Sequence, residues 1–257
     1  MKTSSDYKPN MAFGLLLKGA PKRGKTVLAM QFPNVYVADA DNNLSGAVRF
    51  FRKTQPTKEF RYDTINMDDN GATVPPEKRW ARLCDCCKAA ALDPWVKTIV
   101  VDSAASVCQY LMDAIIADKK EANTSNKRER IDQMNIADWI PFRNMLTKFV
   151  VTFRSVGKYF IMTSHEVWEK DEMTGEIYIR PSIPSNLRDN FGGFFSDEWV
   201  LDHEQVGSET KRVVKTIGDA RRSMGSSLGL PASFEFDIDK FMVRMNEFND
   251  VVKGKVS

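Results

Sequence analysis

A mainly parallel α/β sheet flanked by helices, with an antiparallel C-terminal extension, is the fold class this sequence predicts, and three observations predict it. Short apolar runs suited to buried strands alternate with longer segments of helical periodicity. The runs end in polar or acidic turns: Val35 to Ala38 leads into Asp39-Ala40-Asp41-Asn42, and Val96 to Val101 into Asp102-Ser103. Directly after the first run stands Gly19-Ala20-Pro21-Lys22-Arg23-Gly24-Lys25-Thr26, a G-x-x-x-x-G-K-T loop between a strand pattern and a helix pattern.

Each element has its own justification. Ala12 to Leu17 is a short, mostly apolar stretch suited to a buried parallel strand, and Thr26 to Phe32 opens a helix that Pro33 ends. Val35 to Ala38 is a second buried strand; Phe60 to Ile65 is a more exposed one, because its bulky residues alternate with polar ones. Pro75-Pro76 starts a helix reaching Leu92, and Val96 to Val101 is the most plainly buried strand. A long helix with Val107, Leu111 and Ile115 on one face follows, and then a charged loop from Lys119 to Arg130. Asp132 to Val156 has helical periodicity through Trp139, Phe142, Leu146 and Phe149, with Pro141 fitting only as a kink or in a new first turn. Tyr159 to Thr163 is another buried strand ending at Ser164-His165, Val167 to Ile179 a hairpin turning at Met173-Thr174-Gly175, and Glu198 to Asp202 with Arg212 to Ile217 the closing strands. With no repeat or linker, the expectation is a short tail over residues 1–11 and one domain over 12–257.

Composition narrows the class without naming it. Apolar residues at 42% and charged residues at 28% are ordinary for a globular chain and argue against disorder, and a net charge of +3 is too mild to announce a nucleic-acid binder. No apolar run of about 18 residues is present and the start lacks the apolar centre of a secretory signal, so a cytoplasmic protein with no membrane partner is expected. Cys84, Cys86, Cys87 and Cys108, with only His165 and His203 beside them in the whole chain, offer no zinc spacing and are expected to be reduced thiols in the core.

The loop carries the chemistry. Between a strand and a helix start, its amides and the positive end of the helix dipole converge on a triphosphate; Lys25 reaches the terminal oxygens, and the Thr26 hydroxyl binds Mg2+. Hydrolysis further requires a metal-side carboxylate, a group to orient water, and a polar sensor of the terminal phosphate. Thr98 to Ser103, an apolar strand ending in an acid, puts the metal-side carboxylate on Asp102, because ligands gather at strand tips in open α/β sheets.

The segment Thr98 to Val107, Thr-Ile-Val-Val-Asp-Ser-Ala-Ala-Ser-Val, resembles the corresponding strand of RecA-type recombinases, in which Asp-Ser precedes small residues instead of the Asp-Glu of AAA+ ATPases. The resemblance implies a RecA-like P-loop NTPase core and places the water-activating acid on Asp41, in Asp39-Ala40-Asp41-Asn42-Asn43-Leu44, where the family usually has the longer Glu. It places the phosphate sensor on Ser164 or His165, within Met162-Thr163-Ser164-His165, followed by a DNA-contacting loop. From about residue 12 to 217 the chain more closely resembles compact phage ATPases of the Sak-type single-strand annealing group, through the loop, the valine-rich Asp-Ser strand, and Thr-Ser-His-Glu before a polar hairpin and Arg180-Pro181.

That resemblance implies ATP and Mg2+ as cofactors, single-stranded DNA as a partner, a homo-oligomer, and a single-strand-binding protein as a further candidate partner. With about ten residues before the first strand, a ring, a short stack or a DNA-dependent assembly is expected. In a side-by-side assembly Lys215, Arg221 and Arg222 are the candidates to reach a neighbour's phosphate. Candidate DNA contacts are Lys119, Lys120, Lys127, Arg128 and Arg130 in the charged loop and Lys170 and Arg180 in the hairpin, where Trp168 and Tyr178 supply aromatic faces. Two alternatives stay open: a kinase of a small molecule built on the same cradle, and a nucleotide-gated binding module with little hydrolysis, which the short Asp41 side chain allows.

Overall fold

The computed structural model describes residues 13–122 and 133–252. Its centre is an eight-stranded sheet in the order β10 (Ser233–Phe234), β9 (Glu209–Lys215), β8 (Asp197–Val206), β1 (Gly14–Lys18), β5 (Tyr159–Ser164), β4 (Thr98–Asp102), β2 (Val35–Asp39) and β3 (Arg61–Thr64). From β8 to β3 every pairing is parallel, whereas β8 with β9 and β9 with β10 are antiparallel. This is the predicted class, a mainly parallel α/β sheet with an antiparallel C-terminal extension, and β5 lies between β1, which leads into the loop, and β4, which ends in Asp102. A separate two-stranded sheet pairs β6 (Glu166–Lys170) with β7 (Ile177–Pro181), the predicted hairpin, and Gly175 takes the left-handed conformation in its turn at φ 73°.

Strand alternation splits the core between the two faces of the sheet. Leu16, Ile99, Val101, Phe160 and Met162 face α3 (Pro76–Leu92), α4 (Ala104–Ala122) and α5 (Trp139–Arg154), burying Trp80, Leu83, Leu111, Phe142 and Phe149. Leu15, Leu17, Val37, Val100 and Ile161 face α1 (Lys25–Ala29), α2 (Ser45–Thr54) and α7 (Ile238–Val252), burying Leu28, Phe51, Phe241 and Met245. Both faces are covered, so the central strands are buried along their length and read as apolar runs rather than as alternation.

Several boundaries depart from the sequence reading. The helix after the loop is a single turn ending at Ala29, not at Phe32. The charged loop expected from Lys119 begins later: Lys119 and Lys120 stand in the last turn of α4, where cations complement the helix dipole, and Lys119 donates to Asp138 at 2.7 Å. Lys127, Arg128 and Arg130 lie outside the described residues. Asp138 also accepts from the Asn135 amide, closing a capping box on a 3₁₀ turn (Ile136–Asp138), and Pro141 sits in the first turn of α5. Helices α2, α6 (Ser185–Arg188) and α7, and the short strand β10, were not anticipated. All four cysteines are free; burial pushes the Cys84 thiol up to about 11 and that of Cys108 to about 12, so both stay protonated at neutral pH. No helix of the described residues is long and apolar enough to cross a membrane.

Candidate nucleotide site

The loop Gly19 to Thr26 turns out of the C-terminal end of β1 with Gly19, Lys22 and Gly24 at positive φ. Gly19 has φ 149°, and a Cβ there would stand 2.5 Å from the Leu201 carbonyl oxygen of β8. Gly24, at φ 96°, is the N-cap of α1, and a Cβ on it would meet the Arg212 guanidinium of β9 at 2.9 Å. No side chain caps α1, which leaves its opening amides to a ligand.

Lys25 is buried, and its Nζ donates to Gly19 O at 2.8 Å and Ala20 O at 3.0 Å, with His165 Nδ1 at 3.1 Å. Burial pulls the lysine below its ordinary pKa, opposed by the charges of Asp102, Glu166 and Asp41. Its direct hydrogen-bond partners are neutral acceptors, so an incoming phosphate would put a counter-charge in direct contact with the ammonium. Because Lys25 donates, neutral His165 is assigned its proton on Nε2, and burial together with the Lys25 charge lowers the His165 pKa.

Two acids close the site. Thr26 Oγ1 donates to Asp102 Oδ2 at 2.6 Å, and the Thr163 hydroxyl on β5 donates to Asp102 Oδ1. Burial raises the Asp102 pKa, the two threonine hydrogen bonds lower it, and Asp41 raises it again. Asp41, just beyond the tip of β2, accepts from Ser103 Oγ at 3.1 Å and from the Ser106 hydroxyl on α4. The Asp41 amide donates to the Asp102 carbonyl at 3.2 Å, so the two strand tips are tied through backbone as well. Asp39, paired in register with Asp102, is buried; burial raises its pKa and the Asn43 amide moderates it.

The structure therefore brings Lys25, Thr26, Asp41, Asp102 and His165 to one edge of the sheet. Ser164 is not brought there: its side chain is buried and its hydroxyl donates to the His165 carbonyl. The sequence reading missed Thr163, Ser103 and Ser106. Thr163 lay inside the segment already singled out, and the two-residue period of a strand could have put it beside His165 rather than Ser164.

Three of the other predicted cations, Arg222, Lys215 and Arg180, are engaged within the chain. Arg222 donates to Glu166 through Nε at 2.9 Å and Nη2 at 2.5 Å and to Asp202 at 3.3 Å, and Lys215 lies 3.2 Å from Glu204 and 3.6 Å from Asp202. Arg221 is exposed. Arg180 pairs with Asp189 and, at 3.6 Å, with Glu169, while Lys170 at the end of β6 is exposed. At the loop itself, Arg23 meets His203 Nδ1 of β8.

A hydroxyl and a carboxylate are hard oxygen donors, the set that suits Mg2+, and no cluster of three or more His, Cys, Asp or Glu side chains among the described residues could hold a metal alone. The hydroxyl–carboxylate pair fits a loop metal that would take its remaining ligands from phosphate and water.

A family model described as an AAA domain matches residues 13–219, most of the chain. Among solved structures, a KaiC-like protein from the hyperthermophilic archaeon Pyrococcus horikoshii is similar at 19% identity over 83% of each chain, with a TM-score of 0.43. No curated protein matches.

Proposed function

The chain belongs to the AAA domain family matched over residues 13–219, and we propose that it hydrolyses ATP and uses nucleotide state to control binding of single-stranded DNA in phage recombination or annealing. The observation that carries the nucleotide half is the meeting of Lys25, Asp102 and Asp41, from three different segments, around the loop that opens α1. The DNA half rests on the likeness of the Asp-Ser strand and the Thr-Ser-His-Glu segment to compact recombination ATPases.

In this reading the loop amides and Lys25 bind the β- and γ-phosphates, the ammonium exchanging the Gly19 and Ala20 carbonyls for phosphate oxygens. Thr26 and Asp102 hold Mg2+, which when bound neutralises charge developing on the phosphates. Asp41, its carboxylate fixed by Ser103 and Ser106, orients the attacking water. His165 touches Lys25 and heads the β6–β7 hairpin, so it is placed to pass the state of the terminal phosphate to that hairpin. Self-association and a single-strand-binding partner extend the same proposal; Arg221 is the candidate for reaching a neighbouring subunit.

The test is phosphate release with and without an oligodeoxynucleotide, for the natural chain and for Asp41→Ala. Turnover stimulated by the oligonucleotide and lost by about 10²–10⁴-fold in the variant, with ATP binding intact, is the expected result. Unchanged turnover in the variant removes Asp41 from the mechanism. ATP binding without turnover in the natural chain favours the binding module, and phosphate transferred to a metabolite favours the kinase.

A further inference from the structure

A cluster of cations with no ion-pair partner among the described residues lies beside a cleft on α2, away from the charged loop and the hairpin. Arg49, Arg52 and Lys53 stand at i, i+3 and i+4, which places them on one side of the helix, and all three are exposed with no ion-pair partner among the described residues. They line a cleft of about 670 Å³ against β3, the edge strand of the sheet, whose Tyr62 is 55% exposed. A second cleft of about 410 Å³ shares Arg52 and Val48 with the first and continues along the same edge to Trp95, over which the Arg61 guanidinium sits at 4.6 Å. In contrast, Lys119 and Arg180, two cations expected to contact DNA, are already neutralised by Asp138 and by Asp189 and Glu169.

We propose that this α2–β3 edge is the surface that binds single-stranded DNA, with Arg49, Arg52 and Lys53 tracking the phosphates and Tyr62 stacking under a base. Cations along a groove and exposed aromatic faces are the two ingredients that hold a single strand without sequence preference. The two clefts share Val48 and Arg52 on their walls, so Arg52 faces both along the same helix–sheet edge. Its acids are few: Asp39 at the inner wall, buried and shifted toward its neutral form, and Glu59 in the second cleft. Asn42, on the wall of the first cleft, follows Asp41 in the chain, so a bound strand would press on the segment that carries the water-orienting acid.

The inference rests on the reading that this ATPase engages single-stranded DNA, and one experiment separates the two. Fluorescence anisotropy of a labelled oligo(dT) is measured against salt, with a slowly hydrolysed ATP analogue present, for the natural chain, for Arg49→Ala/Arg52→Ala/Lys53→Ala, for Tyr62→Ala, and for the hairpin variant Lys170→Ala/Arg180→Ala. Expected is salt-dependent binding by the natural chain, a salt slope shallower by about 2 in the triple variant at about 0.7 per single-strand phosphate, and a loss of roughly tenfold in Tyr62→Ala. Hairpin substitution should leave binding within about twofold, and excess dTMP should not displace the oligonucleotide. Binding unchanged in the triple and Tyr62 variants overturns the inference and leaves the proposed function standing, as does loss confined to the hairpin variant. Equal competition by dTMP converts the groove to a mononucleotide site and overturns it too. No binding by the natural chain removes both. Arg49, Arg52, Lys53, Tyr62 and Lys170 are exposed and Arg180 is half-buried, and unchanged ATP-analogue affinity in each variant reports an intact fold; Tyr62→Ala carries the test alone should the triple variant fail that control.

Discussion

Thr26 on α1 and Asp102 at the tip of β4 are joined by a 2.6 Å hydrogen bond across 76 residues of sequence, which fixes this strand-end acid against the helix that the loop Gly19 to Thr26 opens. Thr163 grips the other oxygen of the same carboxylate from β5. Asp102 is thereby oriented by hydroxyls from two elements, and its position does not depend on a single rotamer.

From this grip follows an effect on metal use. Asp102→Asn keeps the shape and one of the two acceptor oxygens but removes the charge, so the Mg2+ concentration for half-maximal turnover should rise by about 10–100-fold. A Mg2+ titration of ATPase rate reads it. An unshifted midpoint would take Asp102 out of the metal site.

The contact between Lys25 and His165 makes a prediction about pH. His165 has its folded pKa lowered, chiefly by burial and then by Lys25, with Asp41 and Asp102 opposing. The unfolded chain therefore binds more protons between the lowered value and the ordinary 6.5, and His165 lowers stability as pH falls through that window. Urea unfolding of the natural chain and of His165→Gln at pH 7.5 and 5.5 should show the smaller loss on acidification in the variant. Parallel losses would contradict the assigned environment.

Asp197, at the start of β8, makes the opposite prediction. Its carboxyl is buried, its Oδ2 has no hydrogen-bond partner among the described residues, and burial pushes its pKa up to about 6. A raised folded value means stabilisation present below the unfolded pKa and lost as pH rises through about 6. Asp197→Asn, which can still accept from the Ser227 amide, should remove that dependence and stabilise the protein at pH 7.5 by about 1–3 kcal/mol. Chemical denaturation at pH 4.5 and 7.5 measures it, and an unchanged pH slope would contradict it.

Two glycines separate cradle from surface. Gly19→Ala forces a Cβ against the Leu201 carbonyl at a positive φ and should cost about 1–3 kcal/mol while weakening nucleotide binding. Gly46→Ala, in α2 with nothing within 4 Å of the new Cβ, should stabilise by about 0.5–1 kcal/mol. Equal effects of the two substitutions on unfolding would contradict the loop geometry.

What the sequence made legible was what one residue type or one run decides. The helix from Pro76 to Leu92 and the strand ending at Asp102 were readable because a proline start and an unbroken apolar run are strong local signals. Helix α2 escaped notice because only Ala47 and Phe51 anchor it, too few for a period to show, and its cations consequently went unweighed. The pairing of β8, parallel to β1 on one side and antiparallel to β9 on the other, depends on contacts far apart in the chain. At the site, residue types were readable but partners were not: nothing in the order of residues says that Arg222 turns inward to Glu166, or that Thr163 rather than Ser164 reaches Asp102.

In the proposed function ATP binds on the loop between β1 and α1 with Lys25 against its phosphates. Calorimetric titration of a slowly hydrolysed ATP analogue with Mg2+ into the natural chain and into Lys25→Ala tests it most directly. Saturable binding to one site per chain, abolished by the substitution while the unfolding midpoint is retained, is the predicted result. No binding to the natural chain, or the same affinity in Lys25→Ala, would contradict the account.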